Sequence, residues 1–211
     1  HGSQNGKGGF KLSLWGENPG ADFKALHSRS RVDTGDPAAS KLLLKPTLQV
    51  KHGGKKRFET GSAEYRILLD WIRSGAEKDP DNAPRLESLS VSPEAAILTT
   101  PENSLALKVT ATFSDGGKRD VTRWAVYQTS SLIAEATPSG VVEFSQPGET
   151  TVFVRYLSGR ASMRAGMIRA RPGYRWSGPT PANVIDTHIF AKLKQFRENP
   201  AEPCDDATFI R

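Results

Sequence analysis

The stretch LALKVTATF, residues 105–113, alternates apolar and polar side chains. Because successive side chains of an extended strand point to opposite sides, a period of two predicts a strand with one buried face. That face would consist of Leu105, Leu107, Val109, Ala111 and Phe113. The stretch TVFVRY, residues 151–156, repeats the pattern with Val152, Val154 and Tyr156, so the centre of the chain is predicted to be β-sheet.

Seven or eight short strands with this character follow one another, separated by turn signals such as Asp115-Gly116-Gly117 and Pro147-Gly148. The candidate strands are 86–91, 95–99, 105–113, 121–127, 132–136, 141–144, 150–156 and 160–168. This number and spacing predict an all-β sandwich of the immunoglobulin type over residues 85–171. Trp124, in the stretch WAVY, is predicted to be its central buried aromatic residue.

The first segment, residues 1–84, begins glycine-rich and then becomes helical in pattern. In DPAASKLLLKP, Asp36 is a candidate N-cap and Pro37 a first helical residue, and Pro46 would end the helix. The stretch SAEYRILLDWIRSGA predicts a helix that begins after Ser62 and ends near Gly75. The stretch EKDPDNAPR, which follows it, has the composition of a linker.

The last segment, residues 172–211, combines a proline- and glycine-rich connector with a second amphipathic helix. Asn183 is its candidate N-cap, and its apolar stripe contains Ile185, Ile189, Leu193 and Phe196. Because this stripe and that of the helix after Ser62 both lack an obvious cover, we expect at least one helix to pack on the sandwich or on the other helix, or two chains to pair through them. The chain breaks off in CDDATFIR, which opens like another helix, so we expect a fragment of a longer protein.

The net charge of +6 is spread along the 211 residues, and only Lys51, Lys55, Lys56 and Arg57 form a tight basic cluster. So short a run is typical of a solvated loop, and no nucleic-acid partner is expected.

No stretch has the length of apolar sequence that a membrane-spanning helix requires. The single cysteine, Cys204, can form no internal disulfide, and because Asp205 and Asp206 lie beside it, we interpret it as an inert residue rather than a nucleophile.

His1 permits two interpretations. His1-Gly2-Ser3 has the form of a purification-tag remnant, and a histidine is also the residue that follows the cysteine pair of a c-type haem attachment motif.

Calcium ligation by Asp115, Asp120 and Glu149 is the weaker interpretation of these carboxylates, because they lack Asp-x-Asp spacing and suit turn capping better. No catalytic or phosphate-binding motif is present, so we expect no enzyme and no metal site.

Taken together, these motifs resemble a family of large secreted planctomycete proteins. In that family a planctomycete-type cytochrome c domain precedes a group 2 bacterial Ig-like (Big2) domain and planctomycete-specific domains of unknown function. HGSQNGKGGFKLSL and HGGKKRFETGSAEYRILLDWIRSGA are similar to parts of the cytochrome domain. TATFSDGGKRDVTRWAVYQTSS and PGETTVFVRY are similar to the Ig-like module. NVIDTHIFAKLKQFRENPAEPCDDATFIR is similar to the start of the first domain of unknown function.

The resemblance implies a mixed, multidomain fold: a small α-helical cytochrome c-like segment over 1–84, the Ig-like sandwich over 85–171, and over 172–211 a linker and the start of a helical domain. It makes His1 and His52 candidate axial ligands of haem, provided that a cysteine pair lies upstream, because this chain contains no Cys-x-x-Cys and both methionines lie in the sandwich. No cofactor is therefore expected in this chain itself, while the resemblance implies haem c in the full-length protein only if such a cysteine pair is present.

Two functions follow as expectations. The first is a non-catalytic segment of a periplasmic, cell-surface or secreted protein, with an Ig-like spacer or adhesion module joined to a cytochrome c-like electron-transfer module. The second is an interaction module without a cofactor, which binds a protein or glycan partner through the Ig-like domain. A homodimer through the uncovered helices is compatible with either.

Overall fold

The computed structural model describes residues 9–202 and Ala207. The chain forms two compact units. The first extends to Leu86 and includes the turn Phe113–Asp115, and the second contains the rest of the described chain. His1 and Cys204 lie outside the described residues.

Among the described residues, the second unit contains all or most of each of ten strands, and one α-helix. The strands are β1 (Leu86–Ser92), β2 (Ala95–Thr99), β3 (Ser104–Ala106), β4 (Lys108–Phe113), β5 (Lys118–Asp120), β6 (Val126–Thr129), β7 (Ala134–Ala136), β8 (Val141–Phe144), β9 (Gly148–Tyr156) and β10 (Gly159–Ile168). They form three sheets in the orders β1-β4-β5, β2-β10-β9-β6 and β3-β8-β7.

The first two strands of the sandwich, β1 and β2, belong to different sheets. Strand β1 lies beside β4, whereas β2 lies parallel to the last strand, β10, with Ala95–Thr99 opposite Arg164–Ile168. Pro93 stands at the crossover, where its missing N–H would interrupt a continuous ladder. The β-sandwich predicted for the centre of the chain is thus present.

The predicted strand 105–113 is interrupted at Leu107, whose N–H donates to the carbonyl of Gly140 at 2.8 Å. The chain passes there from β3 into β4 and so from one sheet to another. Four of the five residues of the predicted face, Leu107, Val109, Ala111 and Phe113, are nevertheless buried, and the fifth, Leu105, is half-buried.

The core of the second unit is aliphatic. Its fully buried side chains include Val109, Val142, Val152, Val154 and Met163. The prediction that Trp124 is the central core residue is wrong: this side chain is 40% exposed. It lies on the 3-10 turn Thr122–Trp124 that precedes β6, and the small neighbours Val121 and Ala125 are the residues buried there.

From residue 9 onward, the first unit contains three short α-helices: α1 (Pro19–His27), α2 (Lys41–Leu44) and α3 (Ala63–Arg73). Helix α3 confirms the prediction for SAEYRILLDWIRSGA, since Ser62 Oγ accepts the N–H of Tyr65 at 3.3 Å and Gly75 has a φ of 103°. A small core joins Leu43, Tyr65, Leu69 and Ile72.

The predicted fold class, with a helical cytochrome c-like segment ahead of the sandwich, is wrong. The helices of the described residues are few and short, and most of residues 9–84 lie in 3-10 turns, bends and irregular chain. The helix expected near Pro37 shows the reason: it is a 3-10 turn, Pro37–Ala39, followed by the single turn α2. Pro46, which has no N–H, leaves a gap in the helical hydrogen bonding just after this turn.

Helix α4 (Val184–Gln195) begins at Asn183, as predicted, with the Asn183 side chain accepting the N–H of Asp186 at 2.9 Å. It packs on the sandwich through Phe196, whose ring lies over Gly166 of β10. A Lys192–Glu149 ion pair joins the helix to β9. The expectation that at least one amphipathic helix packs on the sandwich is therefore confirmed, although Ile185 and Ile189 remain exposed.

Candidate functional site: the open face of the four-stranded sheet

Strand register places a set of side chains on the outer face of the sheet β2-β10-β9-β6. In β9 and β10 the buried Val152, Val154 and Met163 point to the core, so the residues between them point outward. The register then aligns three rows: Ala95, Arg164 and Thr151; Ser162, Phe153 and Gln128; and Arg160, Arg155 and Val126. We call these nine residues the open face.

The open face exposes two apolar side chains, one at its middle and one at its edge. Phe153 of β9 is 51% exposed, and Val126 of the edge strand β6 is 44% exposed. The hydrophobic effect disfavours exposing the Phe153 ring to water. The fold does not demand an apolar residue there, because the alternation that buries Val152 and Val154 would permit a polar residue at position 153. In its row Phe153 lies between Ser162 and Gln128, two side chains that can both donate and accept hydrogen bonds.

Three arginines surround Phe153. Arg155 and Arg160 lie directly opposite one another on β9 and β10, and Arg164 is four residues further along β10. None of the nine residues of the open face, all of which the structure describes, is acidic.

One end of the outer face is closed. The next row contains Ile97, Gly166 and Glu149. Helix α4 and its following residue cover this row at two points. The ring of Phe196, just after the helix, lies against Gly166, and Lys192 of the helix pairs with Glu149. Gly166 favours this close contact, because a Cβ atom there would lie 3.2 Å from Phe196 Cζ and the ring would have to shift. The open face is therefore the part of the sheet that α4 leaves uncovered.

A groove borders the open face beside the part of β10 that does not pair with β2. Strand β2 pairs with β10 only from Arg164 onward. Beside the unpaired part lies an open groove of about 570 Å³ lined by residues of the β1–β2 crossover, including Glu94, and by Ser162 and Arg164. The groove therefore enlarges the accessible surface next to the arginines.

A second polar cluster, Asp120, Thr122 and Tyr127, holds a turn together rather than forming a reactive site. Asp120 Oδ1 accepts the hydroxyl and the N–H of Thr122 at 2.6 and 3.0 Å, and these bonds lower the pKa of the Asp120 carboxyl. The Tyr127 hydroxyl donates to the Thr122 carbonyl at 2.7 Å, and burial, with a smaller contribution from the Asp120 charge, raises the Tyr127 pKa to about 12. The hydrogen bonds of this cluster thus fix the backbone between β5 and β6.

His52 is a turn residue in the structure. Its Nδ1 lies 2.9 Å from the Lys55 carbonyl, and its own carbonyl accepts the Lys55 N–H at 3.2 Å. His1, the other candidate haem ligand, lies outside the described residues, so axial ligation by this pair stays a prediction. Across the part of the chain that the structure describes, no group of three His, Cys, Asp or Glu residues has the geometry of a metal site.

Sequence reasoning did not single out Phe153 or the arginines around it. The signal was present in TVFVRY, where Phe153 occupies the position between the buried valines. Finding it required the outward face of that alternation to be examined as well as the inward one. The juxtaposition of Arg155 with Arg160 depends on the register of the β9–β10 hairpin and is visible only in the structure.

No family model matches the chain, and no curated protein matches it. Among solved structures, domains 1–6 of the surface layer protein SbsC align at 17% identity over 42% of this chain and 14% of that one, with a TM-score of 0.36. A two-domain structure, domains 5–6 of the same protein, aligns with the same identity and TM-score over 47% of its length. The PKD domain from human KIAA0319 aligns at 16% identity over 50% of this chain and 99% of that domain, with a TM-score of 0.26.

Within the described residues, no helix has the length and apolar character needed to cross a bilayer.

Proposed function

We propose that this chain contributes a non-catalytic interaction module to a surface or secreted protein, and that it binds its partner through the open face. One observation carries the proposal: Phe153 is half exposed at the centre of a sheet face on which hydrogen-bonding and basic side chains surround it. Exposed aromatic and arginine side chains are enriched where proteins bind other molecules. The location outside the cytoplasm rests on the sequence resemblance to secreted proteins.

Electron transfer is not part of this proposal. It depended on a cytochrome-like helical segment, and residues 9–84 do not have that fold. The interaction module without a cofactor, which was the second expectation from the sequence, is the function that the geometry favours.

The test is binding to a panel of purified polysaccharides and extracellular proteins, measured by biolayer interferometry with the full chain. Phe153→Thr removes the aromatic side chain while keeping a residue that suits a strand. Leu132→Thr is the matched control, because Leu132 is 97% exposed but lies in the loop before β7. We expect at least one panel member whose affinity falls at least tenfold in Phe153→Thr and is unchanged in Leu132→Thr. If no panel member binds in a Phe153-dependent way, the proposal is wrong.

A further inference from the structure

We infer that the groove beside β10 binds an extended peptide segment of another protein, which pairs with the uncovered edge of β10 as an added antiparallel strand. This site goes beyond the open face, because backbone groups and core-facing side chains form it. Three properties carry the inference: the direction of the backbone groups of β10, the apolar floor of the groove, and the length of the uncovered edge.

Strand β2 covers the outer backbone groups of β10 over only part of its length. The Arg164 N–H donates to the Glu94 carbonyl at 3.1 Å. Because alternate residues of a strand direct their backbone groups to the same side, Arg160 and Ser162 direct theirs to this side as well. Strand β2 begins opposite Arg164, and no other strand of the described chain pairs with β10 on this side. The N–H and carbonyl groups of Arg160 and Ser162 therefore face the groove.

These backbone groups select a polypeptide. An uncovered sheet edge is a template on which another chain can form a strand. An antiparallel strand exchanges two hydrogen bonds with every second residue, so it would satisfy Arg160 and Ser162 completely. A sugar or a small ion does not present donors and acceptors with this period. Peptide recognition by strand addition uses such an edge for affinity and side-chain pockets for specificity.

The floor of the groove supplies a pocket for one side chain. Ala161 lies on the core-facing side of β10, like Met163, but Met163 is buried whereas Ala161 is only half-buried. Leu89 and Val91 of β1 line the same groove. In an added strand, the residue opposite Ala161 would direct its side chain onto this apolar floor. We therefore expect an apolar residue at that position of the peptide.

The uncovered edge fits a short peptide. Residues 159–163 span about 17 Å in a strand, which is the length of five peptide residues. The groove volume of about 570 Å³ is within the range of ligand-binding pockets. Arg164 and Glu94 both line the groove, so its charge favours neither sign. A neutral peptide with apolar residues at alternate positions is the matching ligand.

The probe is the peptide VTVTV with acetyl and amide ends, titrated into the full chain and followed by the backbone amide signals in NMR spectra. We expect saturable shifts of the Arg160 and Ser162 amide signals. Methylation of the nitrogen of the fourth peptide residue removes a donor to β10 and places a methyl group against it, so affinity should fall at least about tenfold. Methylation of the third residue, whose N–H points away from β10, is the matched control and should change affinity less than about twofold.

Two variants of the chain test the same edge. Ser162→Pro removes the N–H that faces the groove and leaves the ladder with β9 intact, since the backbone groups of residue 162 point away from β9. Ser162→Thr keeps the donor and is its control. Ala161→Ile fills the space above the floor without changing a hydrogen bond. Peptide affinity should fall at least about tenfold in Ser162→Pro and in Ala161→Ile and stay unchanged in Ser162→Thr. The NMR spectra also report whether each variant is folded.

The inference is wrong if the peptide does not bind, if the two methylated peptides bind equally, or if Ser162→Pro and Ala161→Ile both keep the parent affinity. It is also wrong if the Arg160 and Ser162 signals shift with protein concentration in the absence of peptide, because a second copy of the chain would then occupy the edge. Phe153→Thr should bind the peptide like the parent chain. A loss in that variant would move the peptide to the open face, whereas failure of peptide binding alone leaves the proposed function untouched.

Discussion

At the scale of single residues, stability is expected to be most sensitive where Gly140 packs against the turn before β6. Gly140 has a φ of 80° and lies against the Asp120–Thr122–Tyr127 cluster. A Cβ atom on it would lie 2.7 Å from Thr122 Cγ2 and 2.9 Å from the Tyr127 hydroxyl oxygen. Neither neighbour can move easily, since Thr122 and Tyr127 are held by hydrogen bonds to each other and to β4.

We therefore expect Gly140→Ala to lower the free energy of unfolding by about 2–4 kcal/mol, from left-handed backbone strain and the steric contact together. Gly116→Ala is the control, because Gly116 has a φ of 77° and a Cβ atom added there would meet no neighbouring side chain or backbone within 4 Å. It should cost about 1–2 kcal/mol, the backbone strain alone. Urea denaturation measures both, and equal losses would show that the contact with the cluster is unimportant.

The Asp120 carboxyl gives the same turn a pH dependence. Because hydrogen bonds from Thr122 lower its pKa in the folded chain, Asp120 contributes stability above the ordinary carboxyl pKa. This contribution is lost as the pH falls through the lowered folded value. Asp120→Asn should therefore flatten the decline in stability that sets in as the pH falls below the ordinary carboxyl pKa of about 4. Asp81→Asn makes the same charge change in the linker; if it flattens the curve as much, the turn is not the origin.

At the scale of elements, the close approach of Phe196, at the end of α4, to the sheet is sensitive to the residue at position 166. Gly166→Val would place methyl groups where the Phe196 ring lies, with Ile97 at 3.3 Å on the other side. We expect α4 to be released, so that limited proteolysis removes residues after 170 faster than in the parent chain. Ser162→Val adds the same side chain to the same strand on the open face and should leave α4 protected. Continued protection of α4 in Gly166→Val would contradict this account.

Sequence reasoning was most successful where local pattern decides the outcome. The strands 95–99 and 141–144 have the predicted bounds, and the caps at Ser62 and Asn183 were both found, because alternation and capping are properties of neighbouring residues. Trp124 was misplaced because the turn at Thr122 moves it out of the strand. The open face was missed because it depends on which strands become neighbours, and non-local pairing leaves no periodic signal.

At the scale of the whole molecule, each unit has a core of its own, and the two differ in kind. The first unit packs Leu43 and Ile72 around a short helix, whereas the second buries valines and methionines from several strands. Stability in the second unit therefore depends on contacts between residues far apart in sequence, and folding of such β domains is slow compared with helical ones.

The parallel pairing of β2 with β10 has a mechanical consequence. These strands stand near the entry and the exit of the second unit, and five residues of each lie in register. A force that pulls the two ends apart would load the hydrogen bonds between them in shear, so that several must break together instead of one after another. The second unit would therefore resist tension applied across its two ends until these hydrogen bonds gave way together.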